Sequence, residues 1–293
     1  MKWMRSRWAV AACLAPVLGL AGCGDDEPAD TAPPTIEAGD RYVAIGDSYT
    51  SGPRIGETSG KPGCEQTTGN YPHLLAAALD LDLVDVSCGG ATTESLTESQ
   101  TPPNGKPVAP QLDALTTDTD LVTLSIGGND GKVFGNLVTT CVGLASRDPE
   151  GSPCATLAGS ADAELASAIA GLADKVADAA KAVRERAPEA RVVVIGYPQV
   201  FPATGTCDEL PLATGDYPFA RDLMQRIVAA QEAGAEQARV EYVDVWAATD
   251  GRDICADEPW VAGITPVGRA LSYHPYAAEQ QAVADLLQAR VGD

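Results

Sequence analysis

The sequence predicts an α/β fold. Three observations carry that expectation. Short, near-continuous apolar runs recur along the chain, such as Val192-Val193-Val194-Ile195 and Leu121-Val122-Thr123-Leu124. Segments with apolar residues at three- and four-residue steps separate them. Glycine, serine and asparagine cluster where several of the runs end. Strands alternating with helices favour a parallel sheet covered on both faces, whose buried strands read as unbroken apolar runs.

The elements follow in order. Residues 42–46 form the first expected strand. A helix begins at Asn70-Tyr71-Pro72, with proline in its first turn. The second strand spans 82–87, a short helix 111–115, and the third strand 121–126. Residues 161–186 carry Leu165, Ile169, Leu172, Val176, Ala180 and Val183 on one helical face. That helix ends before Pro188. Residues 191–196 form the fourth strand, 217–239 a helix, 240–246 the fifth strand, and 276–290 the closing helix. The stretches 53–69, 97–110 and 197–216 lack periodicity and read as loops. No internal repeat or second domain boundary is visible.

The first 22 residues read as a signal peptide rather than as part of the fold. Lys2, Arg5 and Arg7 precede an apolar core from Trp8 to Leu20, too short for a comfortable membrane span. Leu20-Ala21-Gly22-Cys23 resembles a bacterial lipobox, which implies lipid on Cys23, attachment to the outer face of a membrane, and an extracytoplasmic protein. Residues 23–40 then form a flexible, acidic, proline-containing tether. The domain proper spans 41–293, and a monomer is expected.

The chain has 20 basic and 41 acidic side chains, a net charge of −21. Nucleic-acid binding relies on neutralising phosphates, so this balance excludes it as a function class. It also argues against electrostatic adsorption to anionic lipid, which leaves a lipid anchor as the membrane contact. Six cysteines lie beyond Cys23: Cys64, Cys88, Cys141, Cys154, Cys207 and Cys255. An even number in an exported chain implies disulfides, and six cysteines allow fifteen pairings. No Cys-x-x-Cys pair exists and there are two histidines, so neither a metal nor another cofactor is expected.

Chemistry concentrates at the strand ends, where open α/β sheets bind ligands. Ser48 follows the first strand within Gly46-Asp47-Ser48-Tyr49. Gly90 follows the second within Cys88-Gly89-Gly90-Ala91, where a backbone N–H meets no side chain of its own. Asn129 follows the third within Gly127-Gly128-Asn129-Asp130. A serine nucleophile needs a base. His73 reads as a structural histidine early in an apolar helix. His274, in Ser272-Tyr273-His274-Pro275, is the candidate base. The backbone N–H groups of Ser48 and Gly90, with the Asn129 amide, are the candidate oxyanion donors. The Gly-x-Ser-x-Gly elbow is absent, because Thr50 occupies its last position.

These four blocks, in this order across 41–290, resemble the SGNH hydrolases of the GDSL esterase/lipase family, in particular their secreted actinobacterial branch. The resemblance implies a flavodoxin-like three-layer sandwich with a five-stranded parallel sheet in the order 2-1-3-4-5, and metal-free hydrolysis of carboxylic esters through an acyl-enzyme. It also implies the pairing Cys64–Cys88, Cys141–Cys154 and Cys207–Cys255. The chain departs from the family pattern slightly at Gly89, where relatives often have serine, and in one respect that matters. Asp-x-x-His is usual there, and Leu271 stands in the aspartate's place. The expectation is therefore a Ser48–His274 dyad, with the backbone carbonyl of Leu271 or a neighbour holding the imidazole. Asp253 and Asp257 remain open as a distant acid. The substrate is expected to be a small-molecule or lipid ester. A polysaccharide O-acetyl esterase and a catalytically silent binding lipoprotein are the alternative readings.

Overall fold

The computed structural model describes residues 33–160 and 167–292. The expected signal peptide, Cys23 and the first part of the expected tether lie outside the described residues. Five parallel strands form one sheet in the order β2-β1-β3-β4-β5. They are β1 (Arg41–Gly46), β2 (Asp82–Asp85), β3 (Leu121–Ser125), β4 (Arg191–Ile195) and β5 (Glu241–Val243). Every pair is parallel, as the sequence resemblance implies.

Alternation along the strands divides the core into two layers. Val43, Ile45, Val122, Leu124, Val192 and Val194 face one layer, closed by the helices Leu172–Arg186 and Tyr217–Ala238. Tyr42, Ala44, Leu121, Val193 and Ile195 face the other, closed by Tyr71–Leu79 and Ala277–Val291. Each buried Val, Leu or Ile contributes about 1.5–3 kcal/mol by leaving water. The first helix pair approaches closely at Gly234, where a Cβ would lie 2.7 Å from the carbonyl oxygen of Ala173.

Local chemistry sets the helix limits. Asn70 caps Tyr71–Leu79 by accepting from the His73 amide, and Asp80 ends it in the left-handed region. Of the expected helix over 161–186, residues 161–166 lie outside the described residues, and the remainder is interrupted. Residues 167–170 are helical, Gly171 forms a turn, and the helix resumes at Leu172. Glycine holds helical conformation weakly. The fifth strand is shorter than 240–246. Asp244 accepts from the Ala247 amide and starts a helical turn at Val245–Ala248.

Between β3 and the helix pair, a continuous helical run spans residues 133–145, π-helical over Leu137–Cys141, and a further helix spans Pro153–Ser160. The π-helical middle shifts the helical register within the first of these, so no single 3.6-residue face runs through it. Disulfides join Cys64 to Cys88, Cys141 to Cys154 and Cys207 to Cys255. Among the described residues no helix is long and apolar enough to cross a membrane.

Candidate active site

The nucleophile turn begins where β1 must end. A Cβ on Gly46 would lie 2.1 Å from Thr50 Oγ1 and 2.8 Å from the Ser125 carbonyl. The buried Gln111 side chain holds this glycine from both sides, accepting from its N–H and donating to its carbonyl, each at 2.9 Å. Asp47 then caps the short helix Ser48–Ser51, its Oδ1 accepting from the Tyr49 amide at 2.9 Å. Ser48 is thereby presented at a helix start, half-buried, at the C-terminal edge of the sheet.

Asp47 Oδ2 accepts from the Tyr197 hydroxyl at 2.6 Å and from Asn129 Nδ2 at 3.4 Å. Burial raises the Asp47 carboxyl to about 6, against the lowering effect of the Tyr197 and Tyr49 hydrogen bonds. The Tyr197 hydroxyl also accepts from the Gly128 amide at 3.0 Å. Asn129 Nδ2 donates in addition to the Ala91 carbonyl at 3.0 Å. The turns after β1, after β2 and after β3 are thus tied together by one polar network. Ser48, Gly128 and Asn129 line one small pocket with Tyr49, Phe134, Tyr197 and Met224.

Gly90 lies on the turn after β2 at φ 75°, in the left-handed region that favours glycine. The turn is held at its start, where the Cys88 amide donates to the Gly46 carbonyl at 3.0 Å and the Gly89 amide to the Cys64 carbonyl at 2.9 Å. The Cys64–Cys88 disulfide fixes the same corner. Among the described residues, no hydrogen bond engages the backbone N–H of Ser48 or of Gly90.

His274 sits on the loop before the last helix. Its backbone N–H donates to the Leu271 carbonyl at 3.1 Å, and its carbonyl accepts from the Ala262 amide at 2.9 Å. Its Nδ1 lies 2.8 Å from the carbonyl oxygen of Ser272. This corrects the expectation for Leu271: that carbonyl is occupied by the histidine's own amide, and the next residue along supplies the imidazole's partner. With Nδ1–H donating to a carbonyl, Nε2 carries the lone pair. Burial pulls the imidazolium down to about 4. The Ser272 carbonyl opposes that fall and Arg54 adds to it.

Tyr49 connects base and nucleophile turn. Its ring lies 5.5 Å from the His274 ring, and its hydroxyl donates to the Tyr273 carbonyl at 2.8 Å. Phe134 and Tyr197 meet it edge-on at 5.8 and 5.3 Å. Among the described residues no hydrogen bond joins Ser48 Oγ directly to His274.

The remaining candidates stand elsewhere. Asp253 accepts from the Cys255 amide at 2.8 Å, and burial raises its carboxyl against the pull of that bond and of Arg221. Asp257 is exposed. Neither contacts the imidazole among the described residues. His73 packs its Nδ1 2.7 Å from Asn70 Oδ1 on the Tyr71–Leu79 helix, in a structural place. Among the described residues no group of three or more histidine, cysteine or acidic side chains is placed to hold a metal. Sequence reasoning missed Tyr49, Gln111 and Tyr197. Tyr49 adjoins the serine, so its position was visible although its role was not. Gln111 and Tyr197 arrive from distant segments.

Residues 44–282 match the model of the GDSL-like Lipase/Acylhydrolase family. "Lipase 2" of Streptomyces coelicolor is 39% identical over 94% of this chain and 92% of its own length. Phospholipase A1 from Streptomyces albidoflavus NA297 superposes with a TM-score of 0.70 at 30% identity, covering 86% of this chain and 99% of that one. The extracellular lipase from Streptomyces rimosus gives 0.68 at 28% identity, with 85% and 99% covered. The motif blocks, the sheet order and these likenesses agree: the chain belongs to the GDSL-like lipase/acylhydrolase family, and with it to the carboxylic ester hydrolases.

Proposed function

We propose that the protein is an exported serine ester hydrolase working through a Ser48–His274 dyad and an acyl-enzyme. The observation that carries this reading is the contact between His274 Nδ1 and the Ser272 carbonyl. It fixes the tautomer whose Nε2 can take a proton, without a carboxylate. An imidazolium pulled down to about 4 leaves the ring neutral, hence basic, at physiological pH.

The steps follow. Ser48 Oγ attacks the ester carbonyl carbon while His274 Nε2 removes its proton. The developing oxyanion takes hydrogen bonds from the Ser48 and Gly90 amides and from Asn129 Nδ2. The bond from Asn129 Nδ2 to the Ala91 carbonyl holds the amide in place, and its other N–H, which rests on the long 3.4 Å contact to Asp47 Oδ2, turns to the oxyanion. His274 then protonates the departing alcohol. Water, deprotonated by the same nitrogen, releases the acid. Hydrogen bonds between nucleophile and base commonly tighten only when substrate is bound, which accommodates their separation here.

Export is part of the same proposal. Three disulfides favour an oxidising compartment, and the leader ending in Leu20-Ala21-Gly22-Cys23 supports a lipid anchor on Cys23. Acyl mass on the Cys23 peptide of the native protein, read by mass spectrometry, tests the anchor. A mature chain beginning elsewhere without lipid rejects it.

A fluorophosphonate probe tests the dyad. It is expected to label Ser48 in the native enzyme and to fail on Ser48→Ala and His274→Ala. Each variant should lose several orders of magnitude in turnover on p-nitrophenyl acetate, because the pair acts as a unit. Labelling at another serine, or full turnover in either variant, rejects the reading.

A further inference from the structure

An amide can stabilise an oxyanion only when its N–H points at it, and the turn that carries Gly90 does not settle that direction by itself. The Ala91 amide donates to the Cys88 carbonyl at 3.0 Å, so Cys88–Ala91 is a β-turn with Gly89 and Gly90 at its centre. Gly90, at φ 75°, has the conformation found at the third position of a type II turn. A type I turn over the same four residues differs mainly by turning the central peptide over, which reverses the Gly90 N–H. Two glycines at the centre leave both forms sterically open. Packing does not choose between them either. Among the described residues, a Cβ on Gly90 would meet one heavy atom within 4 Å beyond its chain neighbours, Gln100 Nε2 at 4.0 Å.

That same nitrogen reaches the peptide from outside the turn. Gln100 Nε2 donates to the Gly89 carbonyl at 2.9 Å, and this carbonyl and the Gly90 N–H belong to one peptide unit. Among the described residues no other hydrogen bond engages either end of that unit.

The glutamine stands on a fixed base. Its backbone pairs with Val108 in an antiparallel bridge, the Gln100 amide donating at 3.2 Å and the Val108 amide at 2.8 Å. The loop between them closes on the segment before Cys64, where a Cβ on Gly105 would lie 2.6 Å from the Pro62 carbonyl oxygen. Gln100 Oε1 is buried and has no hydrogen-bond partner among the described residues. A side chain present only to fill space would avoid that cost.

We propose that Gln100 is a positioning residue of the oxyanion hole. It holds the Gly89–Gly90 peptide in the orientation that presents the Gly90 N–H to the substrate. The inference rests on Ser48 as the nucleophile and on the Gly90 amide as an oxyanion donor. A hydrogen bond at a peptide carbonyl also strengthens the N–H of the same peptide as a donor. Charge develops on the substrate oxygen as the tetrahedral intermediate forms, so the effect falls on the transition state rather than on ground-state binding.

Two variants test this. Gln100→Met keeps the length of the side chain and removes the donor. Gln100→Glu keeps the shape and sets a carboxylate against the Gly89 carbonyl. On p-nitrophenyl acetate, kcat/KM is expected to fall roughly tenfold in the first and roughly 10²-fold in the second, which approaches the loss of one oxyanion donor. A phenylalkyl trifluoromethyl ketone, whose adduct with Ser48 carries an oxyanion, should bind more weakly by the same factors. The matching methyl ketone, which binds without adding, should bind as it does to the native enzyme. Thermal melts identify a variant that does not fold, and the other then decides. Native-like kcat/KM in the folded variants overturns the proposal. Equal weakening of both ketones overturns it too, since a merely structural role would disturb the whole site. Asn129→Ala is measured alongside. If it weakens the trifluoromethyl ketone and the Gln100 variants do not, the oxyanion hole stands and Gln100 has no part in it. Absence of fluorophosphonate labelling at Ser48 in the native enzyme removes the dyad itself and this inference with it.

Discussion

His274 Nδ1 lies 2.8 Å from the carbonyl oxygen of Ser272, only two residues earlier in the chain. The loop folds back on itself to make this contact. Tyr273, between them, takes φ 63°, a left-handed conformation that costs a non-glycine residue energy. Its carbonyl is held by the Tyr49 hydroxyl, and the Ser272 hydroxyl donates to the Ile264 carbonyl at 2.8 Å. The imidazole is thus positioned by backbone that other contacts keep bent.

Side-chain identity at Leu271 and Ser272 should therefore matter little. Leu271→Ala and Ser272→Ala are expected to keep turnover within about fivefold, the Ser272 variant losing one neutral hydrogen bond of about 1 kcal/mol. Steady-state kinetics on a short-chain ester checks this. An Asp-to-Asn scan over 244–257 is the complement. A loss near 10⁴-fold at Asp253 or Asp257 with the fold intact would identify a triad acid and reject the dyad.

The pH profile follows from the same histidine. Its folded value is lowered from 6.5 to about 4, with burial the main cause. The base must be neutral, so kcat/KM should fall as pH drops through about 4 and be level above it. Asp47, near 6, titrates beside the nucleophile, so the profile is recorded in Asp47→Asn as well, where only the His274 limb remains. A limb near 6.5 in that variant would mean an ordinary, solvated imidazole.

Much of this site is legible in the sequence because each of its turns is local. Gly46-Asp47-Ser48, Cys88-Gly89-Gly90 and Gly127-Gly128-Asn129 each follow a strand, and a parallel sheet brings strand ends to one edge. What stays hidden is the glue between the turns. The Tyr197 hydroxyl spans 150 positions to reach Asp47, and no local pattern encodes such a contact. The Ser272 carbonyl is hidden for another reason: every residue has a carbonyl, so only geometry distinguishes Ser272 from Leu271. The break at Gly171 went unread because the apolar face of 161–186 continues across it.

Tyr49 links base and nucleophile, which makes Tyr49→Phe informative. The change keeps the ring contacts with His274, Phe134 and Tyr197 and removes the bond to the Tyr273 carbonyl. A buried carbonyl left without its donor costs about 1–3 kcal/mol. Turnover is expected to fall roughly tenfold, with KM little changed, because the loop under His274 loosens. An effect on KM alone would place Tyr49 in substrate binding instead.

The disulfides should separate stability from catalysis. Cys64–Cys88 closes a 24-residue separation beside Gly90, and Cys207–Cys255 closes one of 48. Replacing either pair with alanine is expected to cost about 2–5 kcal/mol in denaturant unfolding. Only the loss of Cys64–Cys88 should also lower turnover strongly, since it frees the turn that aims the Gly90 amide. Equal turnover losses for both pairs would count against that placement.

Glu279 supplies the last test, one that reads stability rather than rate. It is 2% exposed, near the start of the final helix. Its Oε2 accepts from Gln280 Nε2 at 2.7 Å, and the same nitrogen donates to the Tyr49 carbonyl at 2.9 Å. Burial pushes the Glu279 carboxyl up to about 8, against the lowering effect of the Gln280 bond. The folded state therefore holds this proton where the unfolded chain, near 4.5, has released it. Between those values the folded state binds more protons, so stability falls as pH rises through the window. Glu279→Gln is isosteric, and its amide oxygen can still accept from Gln280, but it cannot ionise. At pH 5 the variant should melt close to the native enzyme. At pH 9 it should melt higher by roughly 3 °C or more, the shift expected for about 1 kcal/mol in a domain of this size. A difference in melting temperature that is the same at both pH values would mean that the carboxyl does not carry its proton inside the fold. The Glu279–Gln280–Tyr49 chain would then rest on an ionised carboxylate.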